Sequence, residues 1–331
     1  MMPKIAASGL AAAFACAWGC TSTPLPPEVS PEELDRSVAE VAATSVGNYV
    51  KQRARVLDIE YALTTSSAKR CAPHRPQAGV LLFHPGTFAD DSIREAASRG
   101  HALGEHLSVV HVVPGGSFDL AGIQPGDELL EIDRKKIRTE DDFSDLLLET
   151  SERSSIQILV QREKERLELP VQLVHGCPVK FILSHDRDYR IVTGQGSKLL
   201  IYVPEGVTSF VADDDTLGMV LAHQFAHVLF DDPTKSWREQ ERRADRYGLL
   251  LAAAAGFDVS GAVKYWEAVA VEYPWLIGEA LSASGPLWKG FGDHSHYGLG
   301  SRIAGIRATV REIAARQTAN VNLRISPRPG K

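Results

Sequence analysis

Hydrophobic residues recur at helical spacing between Glu32 and about Val56, at Leu34, Val38, Val41, Val46 and Val50. That predicts an amphipathic helix. The pattern then shortens into strand-like runs, and the stretch "VVHVVPGGSFDLAGIQPGDELLEIDRKKI" reads as a β-rich run, a Pro-Gly-Gly turn, a short helix ended by Gly122 and a strand over Glu128 to Ile132. A helix is expected over Glu140 to Leu148, with strands over Ile156 to Gln161 and Leu167 to Val174. Beyond Pro178 come two more strand-like runs, "VKFIL" and "KLLIYV", after which the pattern turns mostly helical. Asp213-Asp214-Asp215 ahead of Thr216 is a good helix start, because an aspartate caps open amides and acids suit the positive end of the helix dipole. A second helix runs from "REQERRADRYG" through "LLLAAAAG". The fold class is therefore α+β: a mainly helical body with a small sheet, interrupted by a β-rich insertion.

The N-terminus follows another rule. Lys4 precedes an apolar run from Ile5 to Ala17, too short for the roughly 20 residues of a stable span, and Ala17-Trp18-Gly19-Cys20 follows. This reads as a secretory signal ending in a bacterial lipobox, with Cys20 lipidated, although Ala17 and Trp18 depart from the usual leucine and small residue. The simple secretory peptide or uncleaved anchor is the alternative. Residues 21–31 are rich in Pro, Ser and Thr and form an extended tether. The expected location is the bacterial cell envelope, lipid-anchored and facing the periplasm, with Thr21 after Cys20 leaning toward the outer membrane.

With 331 residues, 44% hydrophobic and 24% charged, the chain has room for about two domains. A net charge of -6 with Lys and Arg scattered among acids leaves no basic footprint, which excludes nucleic acid as the expected partner. Of four cysteines, processing would remove Cys16 and lipidate Cys20, leaving Cys71 and Cys177. Two thiols in an oxidising compartment point to one disulfide, the alternative being two independent buried thiols.

The segment "GGSFDLAGIQPGDELLEID" closely resembles the bacterial PDZ signature. The resemblance implies a PDZ domain over 101–176, binding extended polypeptide by adding it as a strand to a sheet edge. Its carboxylate-cradling loop is expected at Ala102-Leu103-Gly104-Glu105, with Leu103 and Gly104 as peptide-binding residues. Glu105 would repel a C-terminal carboxylate, which favours internal or unfolded segments.

His223 and His227 stand four apart in "LAHQFAHVLF", so one helical face can aim both imidazoles at one ion. Alone, such a pair is more often incidental. Glu241 could supply the third ligand that zinc requires, and Asp245, one turn on, could hydrogen-bond the outer nitrogen of a ligand histidine. Acids at this spacing are also ordinary solvated charges.

Taken together, these motifs resemble the gluzincin zinc peptidases of the HtpX and BepA kind, family forty-eight of the metallopeptidases. The match runs through the strand "SKLLIYVPEGV", His223-Gln224-Phe225-Ala226-His227, Glu241 to Asp245, and His296 followed by Arg302-Ile303. The resemblance implies a zincin-like domain over 177–316, with 32–100 as its N-terminal part and 317–331 as a tail. It implies one Zn²⁺ per chain on His223, His227 and Glu241, with Asp245 behind them and His296 and Arg302 lining the cleft on the substrate side. Where the family has its general-base glutamate, this chain has Gln224. An amide cannot take a proton from water, and general acid–base catalysis contributes on the order of 10²–10⁴ in rate. The expectation is an envelope metalloendopeptidase that is catalytically weak or inactive, or a non-catalytic protein that holds polypeptides in its PDZ domain and zinc cleft.

The remaining histidines show no ligand spacing. Gly194-Gln195-Gly196 reads as a hairpin turn, and no G-x-S-x-G nucleophile motif occurs.

Overall fold

The computed structural model describes residues 28–101, 103–185, 192–193, 199–272 and 299–319. Cys20, the tether up to residue 27, Ala102, Gly194-Gln195-Gly196, His296 and residues 320–331 lie outside the described residues.

Helix α1, Pro31–Ser66, is longer than its apolar stripe predicts and runs on to Ser67, whose backbone N–H returns to Leu63 and Thr65. Its length lets it serve two cores. Ala42, Val46 and Val50 pack with Leu81, Phe83, Ala96, Ala97 and Val110, whereas Val56, Ile59 and Leu63 belong to the larger core of the helical half.

After α1 the chain enters a short two-stranded ribbon, β1 (Arg75–Gln77) against β8 (Val174–Gly176), which joins the two ends of the inserted segment. At its foot Cys71 and Cys177 form a disulfide, with Cα atoms 5.3 Å apart and 106 positions between them in sequence.

Between the ribbon strands lie β2 (Val80–Phe83), α2 (Asp91–His101), β3 (Leu107–Val112), α3 (Ser117–Leu120), β4 (Glu128–Ile132), β5 (Lys135–Lys136), α4 (Glu140–Glu149), β6 (Ser155–Arg162) and β7 (Glu165–Gln172). The main sheet runs β2-β3-β4-β6-β7, with β5 paired to β4. It therefore begins before residue 101: Val80↔Val112 and Phe83↔Ser108 pair antiparallel, and "VLLF" is too short a run to announce its sheet from sequence. Alternating burial in β6 drives Ile156, Ile158 and Val160 into a core with Leu129, Phe118 and Phe143. The Pro125-Gly126-Asp127 turn is held by burial of Asp127, which takes paired hydrogen bonds from Arg162 at 2.7 and 2.8 Å.

The second half begins with β9 (Val179–Ser184), β10 (Val192–Thr193) and β11 (Leu199–Pro204), in the order β10-β11-β9, with β9 and β11 parallel. Helix α5 (Glu205–Phe210) follows, then α6 (Asp214–Phe230), α7 (Trp237–Ala254), α8 (Ala262–Glu272) and α9 (Leu299–Thr318). Asp213 caps α6 by accepting the backbone N–H of Thr216 at 2.7 Å. The apolar face of α6 closes on the sheet, with Phe225 beside Phe181. Glu60 seals the outer side of β9 by accepting the Phe181 backbone N–H at 2.9 Å. Burial pushes its carboxyl up to about 7, although that bond and the charges of Lys180 and Arg53 oppose the shift. None of the described helices is long and apolar enough to cross a membrane.

Candidate metal centre

Helices α6 and α7 form a hairpin through residues 231–236, and Gly248 makes the approach possible. A Cβ at Gly248 would stand 2.8 Å from the Cα of His223, a backbone atom that cannot swing aside. Close packing thus sets Glu241 of α7 beside both histidines of α6.

The two Nε2 atoms are 3.2 Å apart, with the rings at 83°. The Glu241 carboxylate stands 3.5 Å from His223 Nε2 and 3.3 Å from His227 Nε2. Ligands at tetrahedral angles around zinc, with bonds of roughly 2.0–2.1 Å, are about 3.3–3.4 Å from one another. The donor set therefore fits a zinc ion in both kind and spacing, and it is the one such group of three among the described residues.

The outer nitrogens are held as well. His223 Nδ1 lies 3.0 Å from Asp245 Oδ1, the contact expected for Asp245, and His227 Nδ1 lies 2.9 Å from Asp231 Oδ1. Each carboxylate accepts the Nδ1–H and leaves Nε2 facing the shared centre. Asp231 went unnoticed in the sequence although it stands four residues after His227; the helix ends between them, so a surface-pair reading does not flag it.

Arg302 of α9 packs against the site. Its guanidinium is 1% exposed, donates to Asp245 Oδ1 from Nε at 3.0 Å and Nη2 at 2.6 Å, and lies 3.6 Å over the Trp266 ring. Its Nη2 also stands 3.6 Å from Glu241 Oε2 and 3.5 Å from His223 Nε2, so the buried guanidinium reaches the converging groups themselves. Burial raises the Asp245 carboxyl, but the Arg302 charge and the His223 hydrogen bond outweigh it and hold the group at about 2. Burial lowers His227, but Asp231 and Glu241 reverse that and lift it to about 9. The centre thus favours positive charge. Tyr265, nearby, is raised to about 12 by burial against the opposing charge of Arg302. Gln224 follows His223 on α6, half-buried, and is not one of the three converging ligands.

The expected peptide cradle does not have the shape assigned to it. The loop carrying Leu103 and Gly104 leads into β3, an inner strand of the sheet. Its His106 backbone N–H donates to Glu128 Oε2 at 2.9 Å, Gly104 N–H donates to Ser108 Oγ, and a Cβ at 104 would overlap the Glu128 carboxylate. Leu103 packs with the cluster around Phe83. The chain's own carboxylate fills the cradle. Among the described strands, the main sheet ends at β2 and β7, and these offer the edges for strand addition.

Residues 108–162 match the family model of the PDZ domain. The chain carries a PDZ domain. The model begins inside β3, and the sheet around it supplies β2 and β7 on either side. No curated protein matches the chain. Among solved structures, an HtrA-type protease AlgW with decapeptide is 23% identical over 31% of this chain and 30% of that chain, with a TM-score of 0.26. The match thus spans less than a third of either protein.

Proposed function

We propose that this is an envelope protein that holds extended polypeptides through its PDZ domain and a zinc-peptidase-like cleft, with hydrolysis weak or lost. The reading rests on one observation: His223, His227 and Glu241 converge at zinc-ligand spacing while an amide, Gln224, occupies the position next to the first ligand. His223, His227 and Glu241 would hold the ion, and Asp231 and Asp245 would orient the imidazoles. Bound there, zinc would supply Lewis acidity to a carbonyl and acidify water. Gln224 can donate or accept a hydrogen bond but cannot carry the proton, so polypeptide binding outlasts turnover. His296, in the resembling motif, is assigned to the substrate side of the cleft. In this reading the signal over 1–20 and a lipidated Cys20 tether the protein to the membrane, the outer one in a sorting system that reads Thr21.

The same helix hairpin supports attenuated proteolysis as a second reading, because the ligands and their braces are complete. Zinc stoichiometry and casein cleavage by the purified chain and by Gln224→Glu separate the two. The first reading expects about one zinc per chain, no native cleavage and cleavage restored by the substitution. Native cleavage abolished by a chelator would replace it with the second.

A further inference from the structure

The helical repeat of α1 sets Leu34, Val38, Val41, Ser45, Asn48 and Gln52 on one stripe, at alternating steps of four and three residues. The two ends of the stripe differ. Leu34, Val38 and Val41 are 56%, 43% and 65% exposed, whereas Ala42, Val46 and Val50 on the adjoining face of the same helix are buried. Ser45, Asn48 and Gln52 instead line a cavity of about 800 Å³, which they share with Phe88, His185 and Glu205. From Leu34 to Gln52 the stripe is about 27 Å long at 1.5 Å per residue, a match for roughly eight residues of extended chain.

Charge selects what can lie there. Between Glu28 and Tyr49 the chain has five acids, Glu28, Glu32, Glu33, Asp35 and Glu40, against one base, Arg36. Glu33 and Asp35 flank Leu34, and Glu40 precedes Val41. At the cavity end the Glu205 carboxylate accepts from Nδ1 of the exposed His185 at 2.9 Å. His185 stacks on Tyr49 with ring centroids 5.4 Å apart, and Phe88 meets Tyr49 edge to face at 6.3 Å. A carboxylate beside aromatic rings suits a cationic side chain. Two guanidinium groups touch the cavity wall, Arg55 at Gln52 and Arg94 at the Phe88 carbonyl, and both are already paired with acids, Asp214 and Asp91.

We infer that this stripe and cavity form a docking groove for an extended polypeptide that mixes apolar and basic residues. Its apolar side chains lie on Leu34, Val38 and Val41, and a Lys or Arg enters the cavity beside Glu205. The acids along α1 repel an anionic lipid surface and a second copy of the same helix. The groove deepens the polypeptide-holding reading by naming a class of polypeptide, and it needs neither the zinc centre nor a strand edge of the PDZ sheet.

The test uses the full purified chain and a fluorescent peptide of alternating Leu and Lys, acetylated and amidated so that its ends carry no charge, with binding read by anisotropy. The native chain should bind it, and should bind the counterpart of alternating Leu and Glu about 10-fold more weakly. Val38→Gln combined with Val41→Gln, both neutral and good helix formers, should weaken binding about 10-fold, and Glu205→Gln about threefold. Treatment with a zinc chelator should change nothing. Equal affinity for the acidic peptide, native affinity in both variants, or loss of binding with the metal each overturns the inference, the last by placing the peptide in the metal cleft. So does self-association of the native chain, or its binding to phosphatidylglycerol vesicles, that the paired valine substitution weakens. A native chain that binds no zinc but holds the peptide leaves the groove standing and overturns the metal reading alone.

Discussion

The PDZ body and the helical half reach their identities by opposite routes. In the PDZ body the sequence motif is long and regular, its strands fall where alternation puts them, and a family model covers 108–162. Its one expected binding feature, the cradle at Leu103 and Gly104, is nevertheless filled by Glu128. In the helical half no relative supports the assignment, yet residues far apart in sequence meet at ligand spacing: Glu241 with the His223–His227 pair, and Arg302 with Asp245. Pattern identifies a scaffold, whereas chemistry is identified by convergence, and the two need not coincide in one part of a chain.

If the two bodies are separate cooperative units, core deletions should separate them. Phe118 and Phe225 are both 0% exposed, one in each core. Truncation to alanine should cost about 3–5 kcal/mol in either. Phe225→Ala should abolish zinc binding, and Phe118→Ala should leave zinc binding intact while losing protection of PDZ amides in hydrogen exchange. Loss of both functions in both variants would make α1 and the disulfide bind the halves into one unit.

An effect of similar size is expected at Arg302. Replacing it with methionine keeps the packing on Trp266 but strands the Asp245 carboxylate, and breaking a buried pair from one side costs about 3–5 kcal/mol. Denaturant unfolding of Arg302→Met should show that loss together with weaker zinc binding. The PDZ counterpart, Arg162 against Asp127, should cost stability without touching zinc.

Glu60 gives a pH dependence that belongs to the seam between α1 and β9. Its carboxyl is raised from 4.5 to about 7, so the folded chain holds a proton that the unfolded chain has released. Stability from this group is therefore greatest below about 4.5 and declines as pH rises to about 7. Glu60→Gln keeps an acceptor for Phe181 N–H and does not titrate. Relative to native, it should gain on the order of 2–3 kcal/mol between pH 5 and pH 8 in denaturant unfolding. Parallel curves for the two proteins would show that the seam carries no buried ionisation.

Much of the scaffold was legible because it depends on spacing: the helix α1 (although Leu34, Val38 and Val41 of its expected stripe are exposed and only Val46 and Val50 are buried), the Asp213 cap, the alternation of β6 and the four-residue step from His223 to His227. What escaped was decided by a second element. Val80–Phe83 joins the PDZ sheet only because β3 lies beside it, and Arg302 is buried against the site only because Asp245 and Trp266 meet it. Asp231 is hidden by a helix end. The expected signal segment and His296 lie outside the described residues.

Gly248 was also missed, since a glycine inside "DRYGLLLAAAAG" looks like a mere weakness in a helix. An alanine there should improve helix propensity by roughly 1 kcal/mol in isolation. Against this, its Cβ would stand 2.8 Å from His223 Cα and 2.9 Å from His223 N, and overpacking of this kind costs about 1–3 kcal/mol. Backbone cannot rotate away, so α7 must shift and carry Glu241 with it. Gly248→Ala should therefore weaken zinc binding more than it lowers the melting temperature of the metal-free chain. Gly100→Ala, in α2 on the PDZ side with open space around its Cβ, should do neither harm. Unchanged zinc affinity in Gly248→Ala would mean that the hairpin tolerates a looser fit than the spacing of its ligands implies.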